Sequence, residues 1–136
     1  MMRAVVDTNI LIRALIKPYG TVGPVIAHLR DGDFVIVYSS PLLNELAKLA
    51  LPRIRVKYRV QTEQVEALVS IVVLRGERVI PTHQIKLCRT PKDDMFIEAA
   101  LAGQAPFVVT GDEDLLSLKR FENVRFITPS AFLATL

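Results

Sequence analysis

Residues 3–7, Arg3-Ala4-Val5-Val6-Asp7, form a short apolar run that ends at an acidic residue. A continuous run of this kind is typical of a strand that is buried on both faces. The pattern recurs in Phe107-Val108-Val109, which is followed by Thr110-Gly111-Asp112. The sequence therefore predicts two buried strands, each of which leads into an acid.

Strands and helices alternate along the rest of the chain. The predicted strands are Arg3–Val6, Phe34–Tyr38, Arg78–Ile80, Phe107–Val109 and Arg125–Ile127. The predicted helices are Asn9–Ile16, Thr21–Arg30, Pro41–Leu51, Gln61–Arg75, Lys92–Ala102 and Pro129–Leu136. Apolar strands alternating with helices indicate an α/β fold with a mostly parallel sheet and helices on both faces. We expect one domain over residues 1–136.

Composition excludes several classes of protein. Hydrophobic residues make up 51% and charged residues 23%, which excludes a disordered chain. A net charge of +3 permits a nucleic-acid partner without requiring one. Cys88 is the only cysteine, so the chain has neither an internal disulfide nor a cysteine-based zinc site. No apolar stretch is long enough for a membrane span or a signal peptide, and we expect a cytoplasmic protein.

Acidic residues are predicted to gather at one edge of the sheet. Ligands of parallel α/β sheets bind beyond the carboxyl ends of the strands, where Asp7 and Asp112 should lie. A third acid, Glu45, sits at the margin of the apolar arc of a helix for which Ser40 is a plausible N-cap and Pro41 the first residue. Such a glutamate can point into a cleft.

The fourth acid comes from Thr90-Pro91-Lys92-Asp93-Asp94. Thr90 as N-cap with Asp93 three residues later predicts a capping box in which Asp replaces Glu. Asp94 is then left at the head of a helix that is apolar nearly all round. Because burying an unpaired charge is very costly, Asp94 needs a partner.

Four carboxylates in one crevice repel one another, and the sequence offers no obvious Arg or Lys for each. A hard divalent cation, Mg²⁺ or Mn²⁺, is the simplest neutraliser, since both accept oxygen ligands. Such an ion activates a bound water and stabilises the attacking and leaving oxygens of a phosphodiester. The reaction class that this site indicates is phosphodiester hydrolysis.

The same acids also have purely structural interpretations. Asp7 can cap the helix that begins near Thr8, and Asp112 can cap a helix over Glu113–Lys119. Glu45 alone is more often a solvated helix residue. The interpretation as a metal site depends on all four acids meeting at one edge.

A basic run follows the second group of helices. Arg53, Arg55, Lys57 and Arg59 alternate with apolar residues and contain no acid between them. The run can contact substrate phosphates, with Tyr58 stacking on a base, or it can be a solvated segment whose apolar residues pack inward. The apolar residues of Val65–Leu74 suit core or subunit packing, which favours a dimer.

Five segments of the chain, taken in order, resemble the PIN-domain nuclease family. They are Val5–Leu11, Ser40–Leu46, Arg89–Gly103, Val109–Leu116 and Phe126–Leu133. Each is a weak signal alone, but the ordered set spans almost the whole chain and is fairly specific. The chain is most similar to the VapC-like branch, the toxins of type II toxin–antitoxin pairs.

This resemblance implies a three-layer α/β/α sandwich and a Mg²⁺- or Mn²⁺-dependent endoribonuclease that is often a homodimer and is inhibited by an antitoxin protein. Related sequences often carry an acid at the position of Thr90, outside the metal site. Carried over by position, the metal ligands are Asp7, Glu45, Asp94 and Asp112, with Asp114 as an accessory acid, Asn9 and Thr110 as polar supports, and RNA contacted by the basic run.

Two other functions remain open from the sequence. In a phosphatase or receiver domain, Asp7 would be a covalent nucleophile. Phosphatases of the haloacid-dehalogenase type need a second Asp two residues on, where this chain has Asn9, and Tyr38-Ser39-Ser40 offers no receiver acid. A degenerate, non-catalytic PIN fold would be an adaptor for RNA or protein.

Overall fold

The computed structural model describes residues 1–136 and contains one six-stranded sheet. The strand order is β3-β2-β1-β4-β6-β5, and every neighbouring pair is parallel except β5 with β6. The predicted α/β fold with a mostly parallel sheet is therefore confirmed. The strands are β1 (Arg3–Val6), β2 (Val35–Tyr38), β3 (Gly76–Arg78), β4 (Phe107–Val109), β5 (Arg120–Phe121) and β6 (Val124–Ile127).

Eight α-helices and two short 3-10 turns connect the strands. The helices are α1 (Thr8–Ile16), α2 (Gly23–Arg30), α3 (Ser40–Ala47), α4 (Pro52–Tyr58), α5 (Thr62–Arg75), α6 (Asp94–Ala102), α7 (Glu113–Leu116) and α8 (Pro129–Leu133). The 3-10 turns are Lys48–Ala50 and Pro91–Asp93. No helix has the length and apolar composition needed to cross a membrane.

The two faces of the sheet belong to different hydrophobic clusters. Ala4 and Val6 of β1 pack with α1, α2, α5 and α8, whereas Val5 packs with α6 and α7 on the other face. Successive strand side chains point to opposite faces, so a fully apolar strand is what a sheet covered on both sides requires. The result is a three-layer arrangement of helices, sheet and helices.

Most predicted elements begin and end within two residues of the observed ones, with a few differences. Strand β3 starts at Gly76 instead of Arg78. A Cβ at position 76 would lie 2.7 Å from the carbonyl oxygen of Ile36, so glycine is what allows this strand to approach β2. The predicted helix Pro41–Leu51 ends at Ala47 and continues as a 3-10 turn. Its expected N-cap was wrong, because Ser39 holds that position, and the side chain of Ser39 accepts no capping hydrogen bond.

The central strands β1 and β4 are parallel neighbours, and Val6 pairs with Val109. The ladder continues past the strands, since Asp7 N donates to the Val109 carbonyl over 2.9 Å. Asp7 and the Thr110–Asp112 segment therefore leave the sheet side by side at its carboxyl edge, as the sequence predicted.

Candidate active site

Asp7 is buried at the carboxyl end of β1, with 3% of its surface exposed. Its Oδ1 accepts the backbone N–H of Asn9 over 2.9 Å, and its Oδ2 accepts the hydroxyl of Thr110 over 2.8 Å. Burial raises the pKa of Asp7 above its usual value, although both hydrogen bonds oppose that shift. Asp7 caps α1 and at the same time lies at the predicted edge, so the structural and functional interpretations are compatible.

Thr110 connects Asp7 to Asp112. Its side chain is fully buried, and its Oγ1 both donates to Asp7 and accepts the backbone N–H of Asp112 over 3.0 Å. The half-buried Asp112 caps α7 by accepting the N–H of Asp114 over 2.8 Å. Asn9 supports Asp7 through its backbone, while its exposed side chain lines a neighbouring cleft.

Asp93 is the residue that sequence analysis missed. The expected capping box was wrong, because the side chain of Thr90 makes no capping bond at this 3-10 turn. Asp93 instead lies near Asp112 and Asp7. Burial, followed by the charges of these two acids, raises the pKa of Asp93 to about 6. The signal was available in the sequence, since consecutive acids at a helix start cannot both point in one direction.

Asp94 is buried and turned toward the loop that precedes the 3-10 turn. Its Oδ1 accepts the backbone N–H groups of Leu87 and Cys88, over 3.1 and 2.8 Å. Glu98, one turn later, accepts the N–H of Ile85 over 2.9 Å. The predicted need for a partner is confirmed, and the partner is backbone. Asp94 thus anchors a loop with at least one of its two oxygens.

Glu45 is held by two lysines. Lys92 Nζ lies 2.6 Å from Oε2, and Lys48 Nζ lies 3.0 Å from Oε1. These hydrogen bonds, first that of Lys92, lower the pKa of Glu45. The expectation that the acids lack basic neighbours was wrong for this residue. The charge of Lys92 also acts on Asp7 and lowers its pKa, so Lys92 lies near the buried acid as well as at Glu45.

A cleft of about 550 Å³ adjoins this edge. Four cations and one acid line it, so its charge favours an anion. Of the basic run, Arg53 and Lys57 line the cleft because α4 is a helix, and residues four apart share a face. The lining residues are Thr8, Asn9, Ile12, Glu45, Lys48, Leu49, Arg53, Ile54, Lys57, Tyr58 and Lys92.

The remaining members of the basic run do not line the cleft. Arg55 donates from Nε to the carbonyl of Ala50 over 3.1 Å, and Arg59 ends α4 in the left-handed region with φ 56°. The alternating pattern that suggested an extended arm was misleading, because residues 52–58 are helical. Two of the four predicted substrate contacts are therefore at the site.

Asp114 is not among the residues that line the cleft. It is exposed and lines a second groove together with Arg89 and Asp93. Cys88 also lines this groove, and burial and the adjacent Asp94 raise the pKa of its thiol to about 12, which disfavours the reactive thiolate.

The donor set fits a magnesium-like ion. Asp7, Asp93 and Asp112 offer only oxygen atoms, and their mutual repulsion is what a cation would offset. No three His, Cys, Asp or Glu side chains converge closely enough to enclose an ion by themselves. The arrangement suits an ion held by one or two carboxylates with water completing its shell, which is the coordination that Mg²⁺ prefers.

The sequence model of the PIN domain family matches residues 3–114. The chain belongs to the PIN domain family. This PIN domain is 30% identical over 120 residues to MJ1680, an uncharacterized protein of Methanocaldococcus jannaschii, in an alignment that covers 87% of the chain and 76% of the relative. PIN domains are in general nucleases, so the chain falls within a family of hydrolases.

A solved structure shows the same fold. It is a chain of VapBC2 from Rickettsia felis, determined bound to a DNA fragment from the promoter, with a TM-score of 0.59 and 19% identity. The superposition covers 93% of the PIN domain and 98% of that chain. The resemblance to the PIN family drawn from the sequence is thus confirmed by the family match, and the solved structure shows the same fold. Residues beyond the family match complete the sheet through β6.

Proposed function

We propose that the protein is a Mg²⁺- or Mn²⁺-dependent endoribonuclease that hydrolyses RNA phosphodiester bonds. One observation carries this proposal. The carboxylates of Asp7, Asp93 and Asp112 lie at the carboxyl edge of the parallel sheet, next to a cleft lined by four cations. The acids suit a divalent cation, and the cleft suits the polyanion that such a cation would act on.

We propose that one or two of the carboxylates of Asp7, Asp93 and Asp112 bind the ion directly and that the remaining acid acts through the water of its shell. Asp94 and Glu45, the other predicted ligands, flank this group, and Asp114 is an accessory acid at its outer side. A bound Mg²⁺ or Mn²⁺ would supply an attacking water of lowered pKa and offset charge on the phosphate. Thr110 serves the reaction by fixing Asp7 and Asp112 relative to each other.

The cleft provides the substrate contacts. Arg53 and Lys57 donate to phosphates of the strand, and Tyr58 offers an aromatic face for a base. Lys57 Nζ lies 5.3 Å from the centre of the Tyr58 ring, so a cation and an aromatic ring are available together. Arg55 and Arg59 do not line the cleft and contribute only through the longer-range positive field of the basic segment.

Partner proteins belong to the same proposal. VapBC2 was solved with promoter DNA, and for this chain we propose the toxin role, with an antitoxin partner that covers the cleft. We also propose a homodimer in which exposed apolar residues pack together. Val73 and Leu74 at the end of α5 are 50% and 76% exposed, although α5 is otherwise well packed. Sedimentation of wild type against Leu74→Glu tests the dimer.

The alternative in which Asp7 is a covalent nucleophile gains no support from the geometry. Position 9, where a phosphatase of the haloacid-dehalogenase type needs its second Asp, holds Asn9, and Asn9 contacts Asp7 only through its backbone N–H. An adaptor without activity would bind RNA yet leave it intact, which the following experiment distinguishes.

The test is cleavage of a mixed-sequence RNA in Mn²⁺, with and without excess EDTA. We expect cleavage by the wild type, its loss in EDTA, and a reduction of at least about a hundredfold in Asp7→Asn. Asp31→Asn, which changes an exposed acid at the end of α2, is the matched control. Unimpaired cleavage by Asp7→Asn, or cleavage that persists in EDTA, would exclude the proposed chemistry.

A further inference from the structure

Lys92 stands at the boundary between the acidic group and the cleft. It lies on the 3-10 turn Pro91–Asp93, directly before Asp93. Asp93 faces Asp7 and Asp112, whereas Lys92 reaches the other way to Glu45 and lines the cleft. This one turn therefore places an acid, Asp93, in the acidic group and a cation, Lys92, in the cleft.

Glu45 has little capacity left for a metal ion. Its two oxygens face one ammonium each, at 2.6 and 3.0 Å, and 19% of its side chain is exposed. Its negative charge is therefore already offset, and a divalent cation bound to it would be repelled at short range by both lysines.

Lys92 keeps donors free while it is bound to Glu45. An ammonium group has three N–H donors, and the contact with Glu45 needs only one. The remaining donors are available to a phosphate in the cleft, next to the acids that we propose to hold the ion. Glu45 restricts a long, flexible side chain to this place, which lowers the entropy lost when the phosphate binds.

We propose that Lys92 contacts a substrate phosphate and that Glu45 is a positioning residue that holds Lys92, not a ligand of the metal ion. This inference rests on the proposed nuclease function. The contrary arrangement has Glu45 on the ion and Lys92 as a competitor that the ion displaces. The two arrangements predict different Mn²⁺ affinities for Glu45→Gln. The affinity is unchanged if Glu45 only positions Lys92, and it falls if Glu45 is a ligand.

The first experiment measures binding without catalysis. The probe is a fluorescein-labelled 2′-O-methyl oligouridylate, bound in EDTA and followed by fluorescence anisotropy over a range of salt. We expect Lys92→Met to weaken binding about tenfold and to lower the slope of log affinity against log salt by about 0.7. Lys92→Arg should keep the slope. Lys119→Met, an exposed lysine outside the cleft, should match wild type.

The second experiment measures Mn²⁺ affinity by calorimetry in the absence of RNA. Glu45→Gln should stay within about twofold of wild type. A tenfold loss of affinity in Glu45→Gln would overturn the assignment in favour of a metal-ligating Glu45.

The third experiment is a double-mutant cycle on kcat/KM. If Glu45 acts through Lys92, adding Glu45→Gln to Lys92→Met should change kcat/KM by less than about twofold. Additive losses would refute the positioning role. A wild type that neither cleaves RNA nor binds Mn²⁺ would instead refute the proposed function, while the oligonucleotide measurements would still report on Lys92.

Discussion

The hydroxyl of Thr110 donates a 2.8 Å hydrogen bond to Oδ2 of Asp7, across 103 positions of sequence. Both residues lie just beyond the ends of paired central strands, so the sheet register itself brings them together. The same hydroxyl oxygen accepts the N–H of Asp112. One buried side chain thus determines the relative position of two carboxylates of the proposed site.

Thr110→Val removes the hydroxyl but keeps nearly the same side-chain volume, so it tests the two hydrogen bonds of Thr110 by themselves. The substitution leaves a buried carboxylate oxygen and the N–H of Asp112 without their partner, and such losses cost about 1–3 kcal/mol. We expect a lower free energy of unfolding in urea. We also expect RNA cleavage to fall under conditions in which the variant is still folded. Thr21→Val, at an exposed position, should leave both unchanged. Wild-type activity in Thr110→Val would show that Asp7 and Asp112 need no such support.

Asp93 should make the metal-free protein less stable as the pH rises. Its pKa is about 6 in the folded state against 3.8 for the unperturbed group, so the folded state holds this proton more tightly than the unfolded chain does. Stability from this residue is therefore present below pH 4 and is lost as the pH rises to about 6. Asp7 contributes in the same direction.

The measurement compares thermal unfolding of wild type and Asp93→Asn in EDTA between pH 4 and 7. The difference isolates Asp93 from carboxyls with lowered pKa values, such as Glu45, which act in the opposite direction. Relative to wild type, Asp93→Asn should gain stability as the pH rises through this range. A difference that is independent of pH would contradict the position assigned to Asp93.

Asp94 should matter more for the loop than Asp93 does. Asp94→Ala removes the acceptor of two backbone N–H groups, and each group left unsatisfied costs about 1–3 kcal/mol when it is shielded from water. Hydrogen exchange should show faster exchange at the amides of Leu87 and Cys88, whereas Asp93→Ala should leave these amides protected. Equal protection in both variants would show that the loop is held by other contacts.

Gly76→Ala should disturb the edge of the sheet. The new Cβ would lie 2.4 Å from the carbonyl oxygen of Val72 and 2.7 Å from that of Ile36, both of them backbone atoms that cannot move independently. We expect a loss of about 1–3 kcal/mol in urea unfolding, as for other overpacked sites. Gly111→Ala is the control, since its nearest neighbour would be 3.6 Å away.

The sequence was most informative where burial alone determines structure. The strands Arg3–Val6 and Phe107–Val109 were predicted with their observed bounds, because only a sheet covered on both faces accommodates such apolar runs. The shared edge of Asp7 and Asp112 followed from that prediction. These inferences needed no knowledge of side-chain contacts.

The remaining parts of the site depend on geometry that periodicity does not encode. The 3-10 turn before α6 rotates successive side chains by about 120° instead of 100°, which directs Asp93 to the cluster and Asp94 to the loop. Residues 52–58 alternate in polarity, yet Pro52 starts a helix there. The ion pair of Lys92 with Glu45 joins positions that are far apart in sequence, and no local sequence pattern indicates that they pair.

The short 3-10 turn Pro91–Asp93 also limits the insertions and deletions that the chain can tolerate at this point. Lys92 and Asp93 are adjacent, and at three residues per turn a one-residue insertion or deletion there would swing both side chains by about a third of a revolution. Such a change would misdirect at once the acid that we propose for the metal site and the lysine that we propose for phosphate binding. Homologues that retain nuclease activity should therefore show no length variation between Thr90 and Asp94, even where their neighbouring loops differ freely in size.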